Sequence, residues 1–155
     1  MRKLKMFVVL GLLQSFFMGA ALAQVVHGTA DEAKALVAKG LAHIKEVGVD
    51  RAAADFTAHG GGWQEKDLYI IIIKFDGTMV AHGGNKAMVG KNFIDMKDAN
   101  GKLFTKDMGD IVKAKGSGWV DYLFTNPITK KTEQKSTFAE RIPGYDGYIG
   151  VGIYK

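Results

Sequence analysis

The chain has 155 residues, 21 of them Lys or Arg against 16 Asp or Glu, for a formal charge of +5, and it has no cysteine. The missing cysteine excludes disulfides, thiolate metal sites, c-type haem attachment and a lipid-anchored N-terminal cysteine. No Lys/Arg cluster is longer than a pair such as Lys130–Lys131, so the electrostatic footprint of a nucleic-acid binder is missing and no nucleic-acid partner is expected.

The first residues read as an export signal. "MRKLK" is a basic start, "MFVVLGLLQSFFMGAA" an apolar stretch, and Ala21 and Ala23 the small residues a signal peptidase accepts. Residues 1–23 are therefore expected to be a signal peptide cut before Gln24, and the protein to be periplasmic. An uncleaved membrane anchor is the rival reading, since the stretch nearly spans a bilayer. The 21 basic residues less Arg2, Lys3 and Lys5, against 16 acidic ones, leave a net charge of +2. Residues 24–155 suit one domain with one core.

"TADEAKALVAKGLAHIKEVG" reads as a helix over 31–47. Thr29 or Asp31 can cap it, Ala33, Leu36, Val37, Leu41, Ile44 and Val47 form one apolar stripe, and Gly48 ends it. "VDRAAADFTA" predicts a second short helix capped by Asp50 and stopped by Gly60–Gly62. "DLYIIIIKF" is short, β-branched and apolar at every position from Tyr69 to Ile73, which predicts a strand covered on both faces. Asp76-Gly77 turns it back into "TMVAH" as an antiparallel neighbour. "VGKNFIDMKDANGK" reads as loop, "LFTKDMGDIVKAKG" as a helix ended by Gly116, and three strands follow in "GWVDYLFTN", "TEQKSTFAERI" and "GYIGVGIY". The order predicts an α+β domain: a five-stranded antiparallel sheet with N-terminal helices and one inserted helix.

Tests for chemistry are mostly negative. "HGGG" at His59–Gly62 has the letters of a lipase oxyanion loop, but no G-x-S-x-G nucleophile elbow accompanies it. The same run leads into a strand, so no helix N-terminus faces a phosphate there. The four histidines, His27, His43, His59 and His82, have no metal-ligand spacing. Asp95, Asp98, Asp107 and Asp110 do not form a Ca²⁺ loop. The methionines beyond the signal carry no M-x-x-M repeat and read as core filler. No cofactor, metal or enzymatic activity is expected.

The D-G hairpin, the A-H step at Ala81-His82, G-K-N with its D-x-K-D-x-x-G-K sequel, G-W-V-D-Y, K-S-T-F and the closing I-G-x-G-I-Y occur in one order from about Trp63 to Lys155. In that order they closely resemble the single Cache domain, the extracytoplasmic sensor module of many chemoreceptors and histidine kinases. The resemblance implies a PAS-like sheet with one face roofed by loops over a small-molecule pocket, a non-enzymatic role in signal transduction or chemotaxis, and small organic acids as frequent guests. The chain stops at Lys155 without the transmembrane helix or kinase of those receptors, so it resembles a free-standing exported form that presents its ligand to a membrane receptor or kinase. Gly83 stands where the family commonly has proline, and Ile71 and Ile73 where receptors often carry aromatic or polar residues.

A carboxylate guest needs a cation, a few donors and an apolar wall. The resemblance points to Lys135, mid-strand in "EQKSTF" with Thr137 on the same face, as the cation. Its bland alternative is a solvated lysine on a strand edge. Tyr69 and Tyr122 could donate hydroxyls, Trp119 could form a wall, and Ile71 shares the Tyr69 face; Trp119 and Tyr122 point opposite ways, so one of them at most enters a cavity. His82 and Asn85 are loop candidates, with turn chemistry as the alternative. Gly83-Gly84 is expected to turn that loop tightly and bring N–H groups near a guest, and the first AHGG, at Ala58–Gly61, to be a structural corner. A second function class stays open: a protein-interaction module of the same fold, its pocket filled by its own side chains, Ile71 and Ile73 among them. That module would form a homodimer or hold a protein partner, and bind no ligand.

Overall fold

A computed structural model describes residues 26–155; the signal segment and its cut site lie outside the described residues. Helix α1 spans Ala30–Val47 and opens on a capping box, in which Thr29 Oγ1 accepts the Glu32 N–H and the Glu32 carboxylate accepts the Thr29 N–H. Gly48, at φ 83°, both ends α1 and begins α2, Val49–Thr57, which has no side-chain cap. The expected Asp50 cap is thus corrected. The two helices meet at a single glycine, which leaves Asp50 already inside the first turn, where its charge still faces the helix dipole.

Six strands follow: β1 Gln64–Glu65, β2 Leu68–Lys74, β3 Met79–His82, β4 Ser117–Thr125, β5 Thr132–Arg141 and β6 Gly147–Tyr154. A 3₁₀ turn at Lys86–Met88 and helix α3, Phe104–Lys115, lie between β3 and β4. All pairings are antiparallel. Strand β2 pairs with β6 along one edge and with β1 and β3 in succession along the other, and β6, β5 and β4 continue the sheet. The five expected strands are present, and the two-residue β1 is the addition.

Each strand divides its side chains between two cores. Leu68, Ile70 and Ile72 of β2 and Ile149 and Val151 of β6 face α1 and α2, where Val37 and Phe56 are fully buried against them. Tyr69, Ile71 and Ile73 face the other way, with Phe104, Met108 and Val112 of α3. This two-sided cover explains why β2 is apolar without alternation. Gly40 lets α1 settle close to the sheet: a Cβ there would stand 2.6 Å from the Ile149 side chain. Ahead of α1, buried Asp67 accepts the Gly28 N–H at 2.7 Å and pairs with His27 Nδ1 at 2.5 Å, tying the chain entering the domain to the start of β2.

The two AHGG stretches serve different ends. Gly60 and Gly62 have φ of 82° and 76°, so the first is a corner that needs left-handed backbone. In the second, neither Gly83 nor Gly84 has positive φ. Their role is close approach, since a Cβ at Gly84 would stand 3.0 Å from the Tyr69 ring. The Gly83 N–H donates to the Ile70 carbonyl at 2.9 Å, so it belongs to the sheet and is not offered to a guest.

Candidate functional site

The face of the sheet turned away from α1 and α2 carries the polar groups. Lys135 sits at the centre of β5, directly opposite Tyr122 of β4 and Tyr154 of β6. The next position on that face is Thr137, opposite Val120 and Gly152. Gly152 has no side chain, and a Cβ there would collide with the Lys135 stem. The stem therefore lies across β6 and brings its nitrogen to β2. Lys135 Nζ stands 2.5 Å from the Tyr69 hydroxyl and 3.1 Å from that of Tyr154. It also lies over the rings of Tyr69, Tyr154 and Phe124 at 4.1, 4.5 and 5.2 Å from their centroids.

Lys135 is 3% exposed and forms no ion pair among the described residues. Burial pulls its ammonium down to about 7, with Asp67 acting weakly the other way. The surrounding phenols shift upward: burial, then the neighbouring Tyr154, raises Tyr69, and burial foremost raises Tyr122 and Tyr154. All three are hydroxyl donors at neutral pH. Tyr122 shares a hydrogen bond of 2.9 Å with Thr137 Oγ1, and Phe104 stacks on its ring at 4.4 Å and 6°.

His82 ends β3 with its ring 4.9 Å from that of Tyr69. Its Nδ1 accepts the Asn85 N–H at 2.9 Å, which fixes the neutral tautomer with the proton on Nε2. Burial, then the charge of Lys135, lowers its pKa to about 3, so the ring is a neutral donor. Thr105, in the first turn of α3, contributes the one buried side-chain polar atom without a hydrogen-bond partner among the described residues, its Oγ1.

Apart from Tyr154, which stands behind the Lys135 nitrogen, these groups line an enclosed space of about 20 Å³, together with Ile71, Ile73, Met79, Met88, Phe93, Met96, Met108 and Phe124. That is room for about one water. The space adjoins an open groove that shares Tyr69, His82, Met88, Phe93, Met96, Phe104 and Phe124. The segment from Gly83 to Leu103, with its single 3₁₀ turn, supplies Met88, Phe93 and Met96 as the roof.

Of the residues expected at a binding site, the fold brings Tyr69, Ile71, His82, Tyr122, Lys135 and Thr137 together at this space. Asn85 lies in the adjoining groove, where its side chain accepts the Ala87 N–H and opens the 3₁₀ turn. Trp119 is corrected: it lies on the helix-covered face, 5.4 Å from Phe138, because odd positions of β4 point away from the cavity. Sequence reasoning missed Tyr154, Thr105, Phe104 and Phe124. It also read the methionines as core filler, whereas Met79, Met88, Met96 and Met108 all line the cavity.

The family model for single Cache domain 2 matches residues 15–155. The crystal structure of a methyl-accepting chemotaxis protein from Vibrio parahaemolyticus is similar over 80% of this chain and 86% of that one, with 25% identity and a TM-score of 0.69. A periplasmic sensor domain of a chemotaxis protein is 26% identical, covering 80% of this chain and 88% of its own, with a TM-score of 0.59. A Cache chemosensory domain described for its carboxylic acid recognition shares the fold, at 19% identity and a TM-score of 0.68 over 80% of this chain and 91% of its own. Among curated proteins, the sensor histidine kinase MctS of Rhizobium johnstonii is 26% identical over 89 residues, which are 57% of this chain and 19% of that kinase. The chain thus spans about a fifth of the length of the curated relative it matches.

Proposed function

Because this chain belongs to the single Cache domain 2 family, we propose that it senses a short-chain carboxylate on the outer side of a membrane and passes the bound state to a receptor or kinase. It is homologous to the sensor domains of chemoreceptors and histidine kinases, which are extracytoplasmic or periplasmic modules. The observation that carries the ligand class is Lys135: a buried lysine without a carboxylate partner among the described residues, beside two phenols and a neutral imidazole. A carboxylate entering there meets a cation already stripped of water, with directed donors from Tyr69, Tyr154 and His82 around it. The carboxylic acid recognition described for a neighbour of the same fold agrees with this chemistry.

The enclosed space is smaller than acetate, so entry requires the roof to move. Methionine suits that task, being unbranched and able to repack at little cost. A four-atom acid gains at most about 6 kcal/mol, a dissociation constant of tens of micromolar, which fits a sensor better than a store. A thermal-shift series with C2–C4 carboxylates tests the proposal. Stabilisation of the wild type that disappears in Lys135→Ala is expected, and equal shifts in both proteins count against it.

The interaction-module reading draws its support from the same 20 Å³. A cavity filled by its own side chains needs no guest, and this reading is preferred if no acid shifts the wild type while the protein forms a stable dimer in solution.

A further inference from the structure

We propose that Lys135 also captures carbonyl compounds covalently, as a reversible imine, and that the guests held this way are short 2-oxo acids and aldehydes. This step goes beyond carboxylate sensing and rests on the placement of the amine. Its nitrogen is buried, has no ion-pair partner among the described residues, and lies against three aromatic rings with two phenol oxygens in hydrogen-bond reach. Desolvation of this kind activates a lysine as a nucleophile, because the uncharged amine is the form an apolar enclosure favours. A nitrogen with a pKa near 7 is free amine in about half of the molecules at neutral pH, whereas an ordinary exposed lysine near 10.4 is almost wholly protonated.

The chemistry closes with groups already beside the Lys135 nitrogen. The Nζ lone pair attacks the carbonyl carbon and the C=O π pair moves to oxygen. That oxygen takes a proton from the Tyr69 or Tyr154 hydroxyl, and the proton released by nitrogen restores the phenol. A second proton, given by the other phenol and replaced from solvent, lets the oxygen leave as water while the nitrogen lone pair forms C=NH⁺. Free amine, carbonyl and one solvent proton thus give protonated imine plus water, with no oxidant or reductant. The phenols remain protonated until the reaction calls on them, since burial raises both. The protonated imine keeps one positive charge, so the carboxylate of a 2-oxo acid retains its cation, and His82 Nε2–H remains a donor to it.

The full chain, incubated at pH 7 with glyoxylate and sodium cyanoborohydride and analysed by peptide mass spectrometry, tests this. Expected is a reduced adduct on Lys135 at least about tenfold above any exposed lysine, suppressed by excess acetate and missing from Lys135→Arg. Adducts spread over exposed lysines with Lys135 unmodified overturn it. Acetate calorimetry on the same sample separates this inference from the carboxylate reading. Acetate binding with Lys135 unmodified leaves that reading standing and removes the imine, whereas an adduct on Lys135 without acetate binding does the reverse.

Discussion

The two faces of one sheet are built from the same strands and differ in every other respect. Toward α1 and α2, the buried contacts of Val37, Phe56, Ile70, Ile72, Ile149 and Val151 are wholly apolar, and Gly40 draws the helix in. Toward α3 and the roof lie a lysine, four tyrosines, a histidine and threonines, with four methionines between them. The period-two alternation of a strand lets both coexist: Ile70 and Ile72 stabilise the domain, while Tyr69 one residue before them positions the Lys135 nitrogen. Adjacent residues can thus be assigned to stability or to binding by parity alone.

The largest effect should come from the dry face. Phe56→Ala removes a fully buried ring and should cost about 3–5 kcal/mol in chemical denaturation, with little change in acid affinity in the molecules that remain folded. A loss below about 1 kcal/mol would mean that this face is not the main source of stability.

The opposite sign is expected across the sheet. Lys135→Met replaces a buried cation, unpaired among the described residues, by an apolar chain of similar length and should raise stability by roughly 1–4 kcal/mol at pH 6. The folded-state pKa lies at about 7, below the ordinary 10.5, so the unfolded chain binds more protons between those values. Wild-type stability from this group therefore rises with pH from about 7 to 10.5, and the advantage of the variant shrinks over the same window. Urea titrations at pH 6 and pH 9 check both statements.

Much of this contrast was legible in the chain. The unbroken apolar run of β2 announced a strand covered on both sides, Asp76-Gly77 fixed the hairpin, and Lys135 with Thr137 marked one face of β5. What stayed hidden required pairing between distant strands. Tyr154 matters because it lies directly opposite Lys135 in the β5–β6 register, and no local pattern near the C-terminus carries that information. Trp119 went astray for a related reason: alternation separated it from Tyr122 correctly, but nothing local said which side of β4 held the cavity. Thr105, Met88, Met96 and Met108 come from the α3 segment and the long loop, whose packing the spacing of residues does not set.

The smallest effect concerns Thr105. Its Oγ1 is buried without a partner among the described residues, so Thr105→Val should stabilise the protein by about 1 kcal/mol in thermal denaturation. A destabilisation of that size would indicate that the hydroxyl is satisfied in solution.

The carboxylate reading depends on the lone ammonium between the phenols, and calorimetric titration of acetate at pH 6.5 into wild type and Lys135→Met addresses it most directly. The predicted result is binding to wild type with a dissociation constant of tens of micromolar or weaker, lost by at least about a hundredfold in a variant that is folded and more stable. Equal affinity in the two proteins would contradict the account.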